Sequence, residues 1–263
     1  MKSVCFLSLK GLVRDRILHG ILAVAFLFLL IPSISTLSMR QVTALSMTLS
    51  TSLVSFILLL IATFIGGTLL WKDFDRRYII SLASLPVTRS TYIFGKFFGV
   101  AAFLLVVSFA LGACAFLVVY YTSVIYPPDR PIVWVNLFLS LGMDCLKYIF
   151  LVCFALLFST VSTSFFLPVF GTISVFWLGS ASQEAFDYIQ TDGGARMSAL
   201  AKLLVKAFYY IIPNFSAFDF KLAAIYGLPV APSSVFMVLG YFTVYASLIL
   251  GFAVMIFSRR ELQ

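Results

Sequence analysis

The sequence predicts an all-α integral membrane protein with about six transmembrane helices, on the basis of its composition, its mean hydropathy and the length of its apolar runs. Hydrophobic residues make up 62% of the 263 residues and charged residues only 11%, whereas soluble domains carry about 25% charged residues. The mean hydropathy is +1.09. So few charges cannot cover so much apolar surface in water, and we therefore expect lipid to be the solvent for most of the chain.

Six apolar stretches are long enough to cross the hydrocarbon core, although the fifth is short. They lie at 17–38, 45–70, 95–121, 134–158, 164–181 and 232–257. No internal repeat and no Gly- or Ser-rich linker divides the sequence, which predicts a single transmembrane domain over 1–263. The segment 182–231, between the last two spans, is expected to lie on the outer side, where it is a candidate for contact with an extracytoplasmic partner protein.

The distribution of Lys and Arg predicts that both termini are cytoplasmic. On this topology, eleven of the 18 Lys and Arg residues lie in inner segments and six in outer segments, while Lys147 lies inside the fourth span. Such an excess of basic residues is typical of cytoplasmic loops. The same excess explains the net charge of +8, so nucleic acid is not expected as a partner.

The first 16 residues are predicted to form an amphipathic helix on the membrane surface. Their basic side chains, which are those of Lys10, Arg14 and Arg16, can reach anionic lipid headgroups. A cleaved signal peptide is the alternative, because basic residues precede an apolar run. That run continues past Pro32 and no A-x-A-like cleavage site follows, which favours the surface helix.

No metal centre and no disulfide framework is predicted. The four cysteines include no CxxC pair, and we expect them to behave as small buried hydrophobic residues. The single histidine, His19, stands at the cytoplasmic edge of the first span, and we expect it to be an interfacial residue, because a metal site needs several ligands.

The segment 71–96, WKDFDRRYIISLASLPVTRSTYIFGK, connects the second and third spans on the cytoplasmic side and has the spacing of an amphipathic helix. Its apolar residues are spaced 4, 4 and 3 apart and share one face, which is formed by Phe74, Tyr78, Leu82 and Leu85. The charged side includes Asp73, Arg76 and Arg77. Pro86 ends this helix, and Ser90 or Thr91 is expected to cap the next one.

Two interpretations of this helix remain open. It is either a solvated loop that anchors to lipid headgroups or a docking element for a soluble partner. The mixed charges, two aspartates beside two arginines, favour the partner, because a lipid anchor would carry basic residues only.

The same segment resembles the membrane subunits, or permeases, of ABC type-2 transporters. In that family an acidic and basic cluster and a helix are followed by a Leu-Pro-Val-x-Arg-x-x-Tyr-x-x-Gly-Lys run, which is complete here from Leu85 to Lys96. Three further elements occur in the family's order, namely ALLFSTVSTS at 155–164, IIPNFSAFDF at 211–220 and FSRREL at 257–262. Together they extend the resemblance over nearly the whole chain.

Within the family, the chain is most similar to the permease of the copper-processing system that matures nitrous-oxide reductase. Its methionines are scattered, without the close spacing of a copper-binding Met motif, and we expect them to be packing residues. This pattern counts against direct copper handling by this chain.

The resemblance implies a dimer, formed with a second copy or a paralogous permease, in which each subunit binds one cytoplasmic ABC ATPase. The loop between the second and third spans would be the coupling helix. The residues that the resemblance assigns to ATPase coupling are Asp73, Phe74, Asp75, Arg76, Arg77, Tyr78, Leu82, Leu85, Pro86 and Arg89. It also implies a location in the bacterial cytoplasmic (inner) membrane and, for most members, export.

ATP and magnesium are expected in the partner ATPase and no cofactor is expected in this chain, because the sequence has no GxxxxGK[ST] phosphate loop. The chain is accordingly predicted to be a non-catalytic subunit. ATP hydrolysis would then be the task of a separate protein.

Asp144 and Lys147 are three residues apart in the fourth span and therefore share a helix face. Ionisable groups inside a span are costly and often functional. One interpretation is a neutralising structural pair near the outer edge of the membrane. The other is a contribution to cargo binding.

Two other classes of membrane protein agree less well with the sequence. A membrane-embedded enzyme needs paired catalytic groups at membrane depth, and the sequence has no HExxH motif and no close carboxylate pair inside a span. An ion-gradient-driven secondary transporter often contains inverted repeats, and we find none.

Overall fold

A computed structural model of the chain describes residues 5, 11, 19–20, 23–37, 41–75, 88–128, 131–162, 164–191 and 197–259. Within these ranges the secondary structure is helical and contains no strand, which confirms the all-α membrane fold. The predicted amphipathic helix over 1–16 lies outside the described residues, apart from Cys5 and Gly11.

Nine labelled helices can be followed through the described ranges, in addition to a short 3₁₀ helix at Ser216–Phe218. The first, α1 (Val24–Ser35), starts as a 3₁₀ helix. Next, α2 (Val42–Leu60) continues through a π-helical turn (Ile61–Ile65) into α3 (Gly66–Asp75). The others are α4 (Arg89–Ile125), α5 (Trp134–Val161), α6 (Phe166–Ile189), α7 (Ala199–Ile211), α8 (Lys221–Tyr226) and α9 (Pro232–Arg259).

Within the described residues, four helical stretches are long and apolar enough to cross a membrane, and the protein is a multi-pass membrane protein. These are Val42–Trp71, Arg89–Ile125, Trp134–Val161 and Pro232–Arg259, and they contain the predicted second, third, fourth and sixth spans. The first predicted span overlaps the shorter apolar helix α1, and the fifth overlaps α6. The helix α6 is less apolar than these four stretches, because its last turns carry Gln183, Glu184 and Asp187. A total of six spans stays a prediction.

The cap of α4 lies two or three residues before the expected one. This cap is Thr88, whose hydroxyl accepts from the Thr91 main-chain N–H at 3.3 Å, so the expectation of Ser90 or Thr91 as the cap is wrong. Thr88 is extended, with φ −68° and ψ 147°, and this conformation aims its hydroxyl at the open first turn of the helix. Ser90 and Thr91 are already helical.

The helix α5 lies at the centre of the bundle. It packs against α2, α3, α4, α6, α8 and α9, and most of its middle is buried. Large apolar side chains cover the outside of the bundle, for example Phe109 on α4 and Met237 on α9, which are 82% and 76% exposed. Side chains of this kind on the outside are expected where lipid is the solvent.

The end at which α2, α5 and α9 begin is called the outer end below, after the predicted topology, and the opposite end is the inner end. At the outer end, the chain after α7 folds back into the bundle. Phe215 and Phe218 are fully buried, and their rings lie 5.2 and 5.8 Å from that of Phe150 in the middle of α5.

Side chains and main chain of the bundle hydrogen-bond this returning segment. The Phe215 N–H donates to the Gly179 carbonyl at 3.3 Å, and the Ser216 hydroxyl donates to the Ser180 carbonyl at 2.9 Å. The Asn214 N–H donates to the Tyr241 hydroxyl at 2.8 Å. Irregular backbone at membrane depth is tolerated where protein satisfies its polar groups, and these contacts meet that requirement.

Candidate functional site

The base cluster, formed by Asp73, Arg89, Tyr92, Lys96 and Phe257, joins three helix ends at the inner end of the bundle. The Asp73 carboxylate pairs with the Lys96 Nζ at 2.6 Å and accepts a short hydrogen bond from the Tyr92 hydroxyl. The side chains of Lys96 and Asp73 are 12% and 20% exposed. The end of α3 is therefore fixed to the start of α4.

The helix α9 joins this cluster through its last turn. Arg89 Nη1 donates to the main-chain carbonyls of Phe257, at 3.0 Å, and Ser258, at 2.7 Å. Carbonyls at a helix C-terminus lack intrahelical partners and are favourable acceptors for a cation. The ring of Tyr92 also stacks on that of Phe257, with centroids 5.9 Å apart.

The predicted coupling residues fall into three groups. Asp73 and Arg89 belong to the base cluster, and Phe74 and Asp75 are the last two residues of α3. The remaining six, Arg76, Arg77, Tyr78, Leu82, Leu85 and Pro86, lie outside the described residues. The structure thus brings together the two ends of the predicted coupling segment.

Besides Phe257 of α9, Tyr92 and Lys96 are the members of this cluster that sequence reasoning did not assign to the site. Both were noted only as part of the Leu85–Lys96 run. Their spacing contained a usable signal, because Arg89, Tyr92 and Lys96 are three and four residues apart and share one helix face. The main-chain carbonyls of α9 that accept from Arg89 give no such signal, because every residue carries a main-chain carbonyl.

A second polar cluster surrounds Asp144, about 15 Å along α5 from its first residue. Lys147 Nζ lies 2.6 Å from Asp144 Oδ1, and Lys221 Nζ lies 3.6 Å from Oδ2. Asp144 is 1% exposed. The predicted pair is therefore joined by a second cation from α8. The sequence does not predict this partner, because no spacing pattern relates Lys221 of the 182–231 segment to Asp144.

Asn136 holds α8 in place beside this cluster. Its Nδ2 donates to the carbonyls of Ala223, at 3.1 Å, and Leu228, at 2.9 Å. Between them Gly227 adopts a left-handed conformation, with φ +63°, which glycine accommodates without strain. Since Asn136 and Asp144 are two turns apart on α5, α8 runs from the Asp144 level towards the outer end.

A cavity of about 620 Å³ opens at the outer end, between the start of α2, the chain that joins α4 to α5, and α8. The lining residues that the structure describes are uncharged and mix polar and apolar groups, including Gln41, Thr43, Met47, Tyr126, Ile225 and Tyr226. The Thr43 hydroxyl donates to the Tyr126 carbonyl at 2.7 Å, which ties α2 to the end of α4.

Among the described residues, no group of three or more His, Cys, Asp or Glu side chains is placed to hold a metal ion.

The chain matches a family model described as ABC-2 family transporter protein, over residues 14–179. The matched region runs through α1 to the middle of α6 and includes Asp73, Arg89, Asp144 and Lys147. Comparison with curated proteins gives no match.

Proposed function

Because the chain belongs to the ABC-2 transporter family, and is thus a membrane subunit of an ABC transporter, we propose that it forms a translocation pathway as a dimer driven by a separate ATPase. The ATPase docks on the 71–96 segment, called the docking segment below, at the inner end of the bundle. The second subunit is another copy of this chain or a paralogous permease.

The observation that carries this function is the base cluster. Asp73 precedes the undescribed part of the docking segment by three residues, while Arg89, Tyr92 and Lys96 follow it. The Asp73–Lys96 ion pair and the hydrogen bond from Tyr92 to Asp73 hold both ends of the segment on one rigid support. A displacement of the docked segment would therefore act on α3 and α4 together, and through the Arg89 contacts on α9 as well.

Energy transfer in this arrangement needs no chemistry from the membrane chain. ATP and magnesium bind the partner ATPase, and this chain contributes the docking segment, its support and the spans. We place the protein in the bacterial inner membrane with both termini cytoplasmic and with export as the direction. The basic residues of the inner segments support this orientation.

The test is co-purification and ATP hydrolysis with the ATPase encoded beside the chain, after reconstitution in vesicles. We compare the native chain with the double variant Asp73→Ala/Arg77→Ala. A matched control, Glu184→Ala/Lys206→Ala, also removes one acid and one base, but from exposed positions towards the outer end.

The native chain and the control should bind the ATPase and stimulate hydrolysis alike, whereas the Asp73/Arg77 variant should lose most of the stimulation. A native chain that neither binds nor stimulates the ATPase would contradict the proposal. Cargo movement that continues without ATP and stops when the proton gradient is collapsed would instead support a gradient-driven transporter.

A further inference from the structure

Buried polar side chains line the contact between α2 and α5 below the outer cavity. The Ser55 hydroxyl and the Tyr148 hydroxyl are 2.6 Å apart, and this hydrogen bond fixes the register of the two helices, which both begin at the outer end. Ser50 precedes Ser55 by five residues and Asp144 precedes Tyr148 by four. The side chains of Ser50 and Asp144 therefore lie at nearly the same depth in the bundle.

Two hydroxyls at this level have no hydrogen-bond partner in the part of the chain that the structure describes. These are the Oγ atoms of Ser50 and Ser140, whose residues are 0% and 1% exposed. Hydroxyls inside helices usually donate to a carbonyl one turn earlier, as Thr48 and Thr51 do here. A buried hydroxyl left unpaired is unfavourable, and a bound water molecule would remove that cost.

The Asp144 cluster also has spare hydrogen-bonding capacity. The described structure places two cations at the Asp144 carboxylate, with Lys147 Nζ 2.6 Å from Oδ1 and Lys221 Nζ 3.6 Å from Oδ2. Each carboxylate oxygen can accept more than one hydrogen bond, so Asp144 keeps acceptor sites for water. Asp219 is close enough to act on the charge of Lys147, and its Oδ1 accepts from the Lys221 N–H at 3.0 Å. Buried ion pairs are favourable only when additional hydrogen bonds complete them.

The outer cavity ends directly above these groups. Met47 and Ile225 line it. On α2, which runs inward from the outer end, Ser50 follows Met47 by three residues and is therefore deeper than Met47. On α8, which runs outward, Lys221 precedes Ile225 by four residues and is therefore deeper than Ile225. The unpaired hydroxyl and the second cation are therefore about one helical turn below the cavity lining.

We propose that the cavity and the Asp144 cluster form one hydrated vestibule within a single subunit, open at the outer end. It takes water and small hydrophilic solutes, with Ser50, Ser140 and Asp144 holding the innermost water. Buried water molecules in proteins satisfy polar groups of this kind, and each needs several polar partners at once. Ser50, Ser140, Asp144 and Lys221 supply such partners here. This site is independent of ATPase docking.

The experiment is thiol labelling of full-length variants in sealed membranes with a charged, membrane-impermeant methanethiosulfonate. Ser140→Cys and Ser50→Cys place a thiol at the two unpaired hydroxyls and change one atom each. Tyr226→Cys, at the cavity rim and 50% exposed in the native chain, shows from which side of the membrane the cavity is reached. Peptide mass spectrometry assigns the label, and the fully buried native Cys153 serves as an internal unlabelled reference.

Two control variants separate the vestibule from simpler explanations. Gly142 lies on α5 two residues from Ser140, at an exposed position with open space around it. The variant Gly142→Cys therefore tests general water access at that depth. Ser159→Cys replaces another buried, unpaired hydroxyl of α5, near the inner end, and it tests whether lack of a partner is sufficient for labelling.

We expect Ser140→Cys and Ser50→Cys to be labelled from the rim side about tenfold faster than either control, because lipid excludes a charged reagent. No labelling at these two positions while Tyr226→Cys reacts would overturn the vestibule, and so would equal labelling of Gly142→Cys.

A second measurement on the native chain avoids any effect of substitution on folding. Radiolytic hydroxyl labelling detects side chains next to bound water, and it should modify Met47, which is only 2% exposed. Absence of that modification would likewise count against the vestibule.

Discussion

The guanidinium of Arg89, at the start of α4, donates to the main-chain carbonyl of Ser258 at the end of α9, and the two atoms are 2.7 Å apart. The residues are 169 positions apart in the sequence. Arg89 also reaches the Phe257 carbonyl, so a single side chain supplies partners for two of the last carbonyls of α9. A cation near a helix C-terminus also interacts favourably with the helix dipole.

Replacing Arg89 should loosen the end of α9. Arg89→Lys keeps the charge but loses the rigid guanidinium geometry, and Arg89→Ala loses both. We expect Arg89→Ala to lower the free energy of unfolding in detergent by about 1–2 kcal/mol, with Arg89→Lys between it and the native chain. Arg259→Ala, which removes a neighbouring exposed guanidinium, is the control. A fall of the same size in that control would show that net charge alone is responsible.

Within the base cluster, Asp73 should matter more than the Tyr92 hydroxyl. Tyr92→Phe keeps the ring that stacks on Phe257, and Asp73 keeps its ion pair with Lys96, so the expected loss is about 1 kcal/mol. Asp73→Ala leaves both Tyr92 and Lys96 without their partner. Its expected cost is about 2 kcal/mol, since partial exposure of the ion pair reduces the penalty.

Chemical denaturation of the single and double variants provides the measurement. If Asp73 is the shared partner, the effects of Asp73→Ala and Tyr92→Phe should be less than additive. Full additivity would mean that the two side chains do not interact in the folded protein.

Much of the base cluster could be predicted from the sequence, whereas its link to α9 could not. The helix face of Arg89, Tyr92 and Lys96 follows from their spacing. The apolar face that begins at Phe74 predicts an amphipathic helix in the 71–96 segment, and most of that helix lies outside the described residues. The acceptors on α9 are main-chain carbonyls, which no side-chain pattern distinguishes. Only the fold brings that helix end to α4.

The Asp144 cluster shows the same division. The Asp144–Lys147 pair follows from a spacing of three residues in a helix, and the structure places the two charges in contact. Lys221 could not be predicted because it reaches Asp144 only after the chain beyond α7 turns back into the bundle. Phe215 and Phe218 drive that return by filling space beside Phe150, a packing effect without periodicity.

Removal of either lysine should test how the Asp144 charge is balanced. Lys147 is 2.6 Å from Asp144 and almost fully buried, whereas Lys221 is 3.6 Å away and its side chain is 20% exposed. Lys147→Met should therefore destabilise the protein by about 3–5 kcal/mol, as expected for a buried charge deprived of its partner. Lys221→Met should cost clearly less. Both are measured as thermal unfolding in detergent.

The double variant Asp144→Asn/Lys147→Met provides the control for this pair. Because it removes both charges, it should recover much of the stability that Lys147→Met loses. A double variant no more stable than Lys147→Met would show that packing of the Lys147 side chain, and not its charge, is what matters.

The return of the chain into the bundle depends on the absence of a side chain at Gly179 of α6. A Cβ added there would meet the Phe215 ring at 2.5 Å and the Pro213 carbonyl oxygen more closely still. These atoms belong to backbone and to a fully buried ring, so neither can move aside easily. Gly179→Ala should therefore cost about 1–3 kcal/mol and expose the 212–220 segment to limited proteolysis.

Gly240→Ala on α9 is the matched control, because a Cβ there meets no atom within 4 Å. Alanine is the better helix former, by about 1 kcal/mol, so this variant should be as stable as the native chain or more so. If Gly179→Ala behaved like Gly240→Ala in both thermal unfolding and proteolysis, close packing of α6 against Pro213 and Phe215 would not be what holds the returning segment. The hydrogen bonds of Asn214 and Ser216 would then have to account for its position.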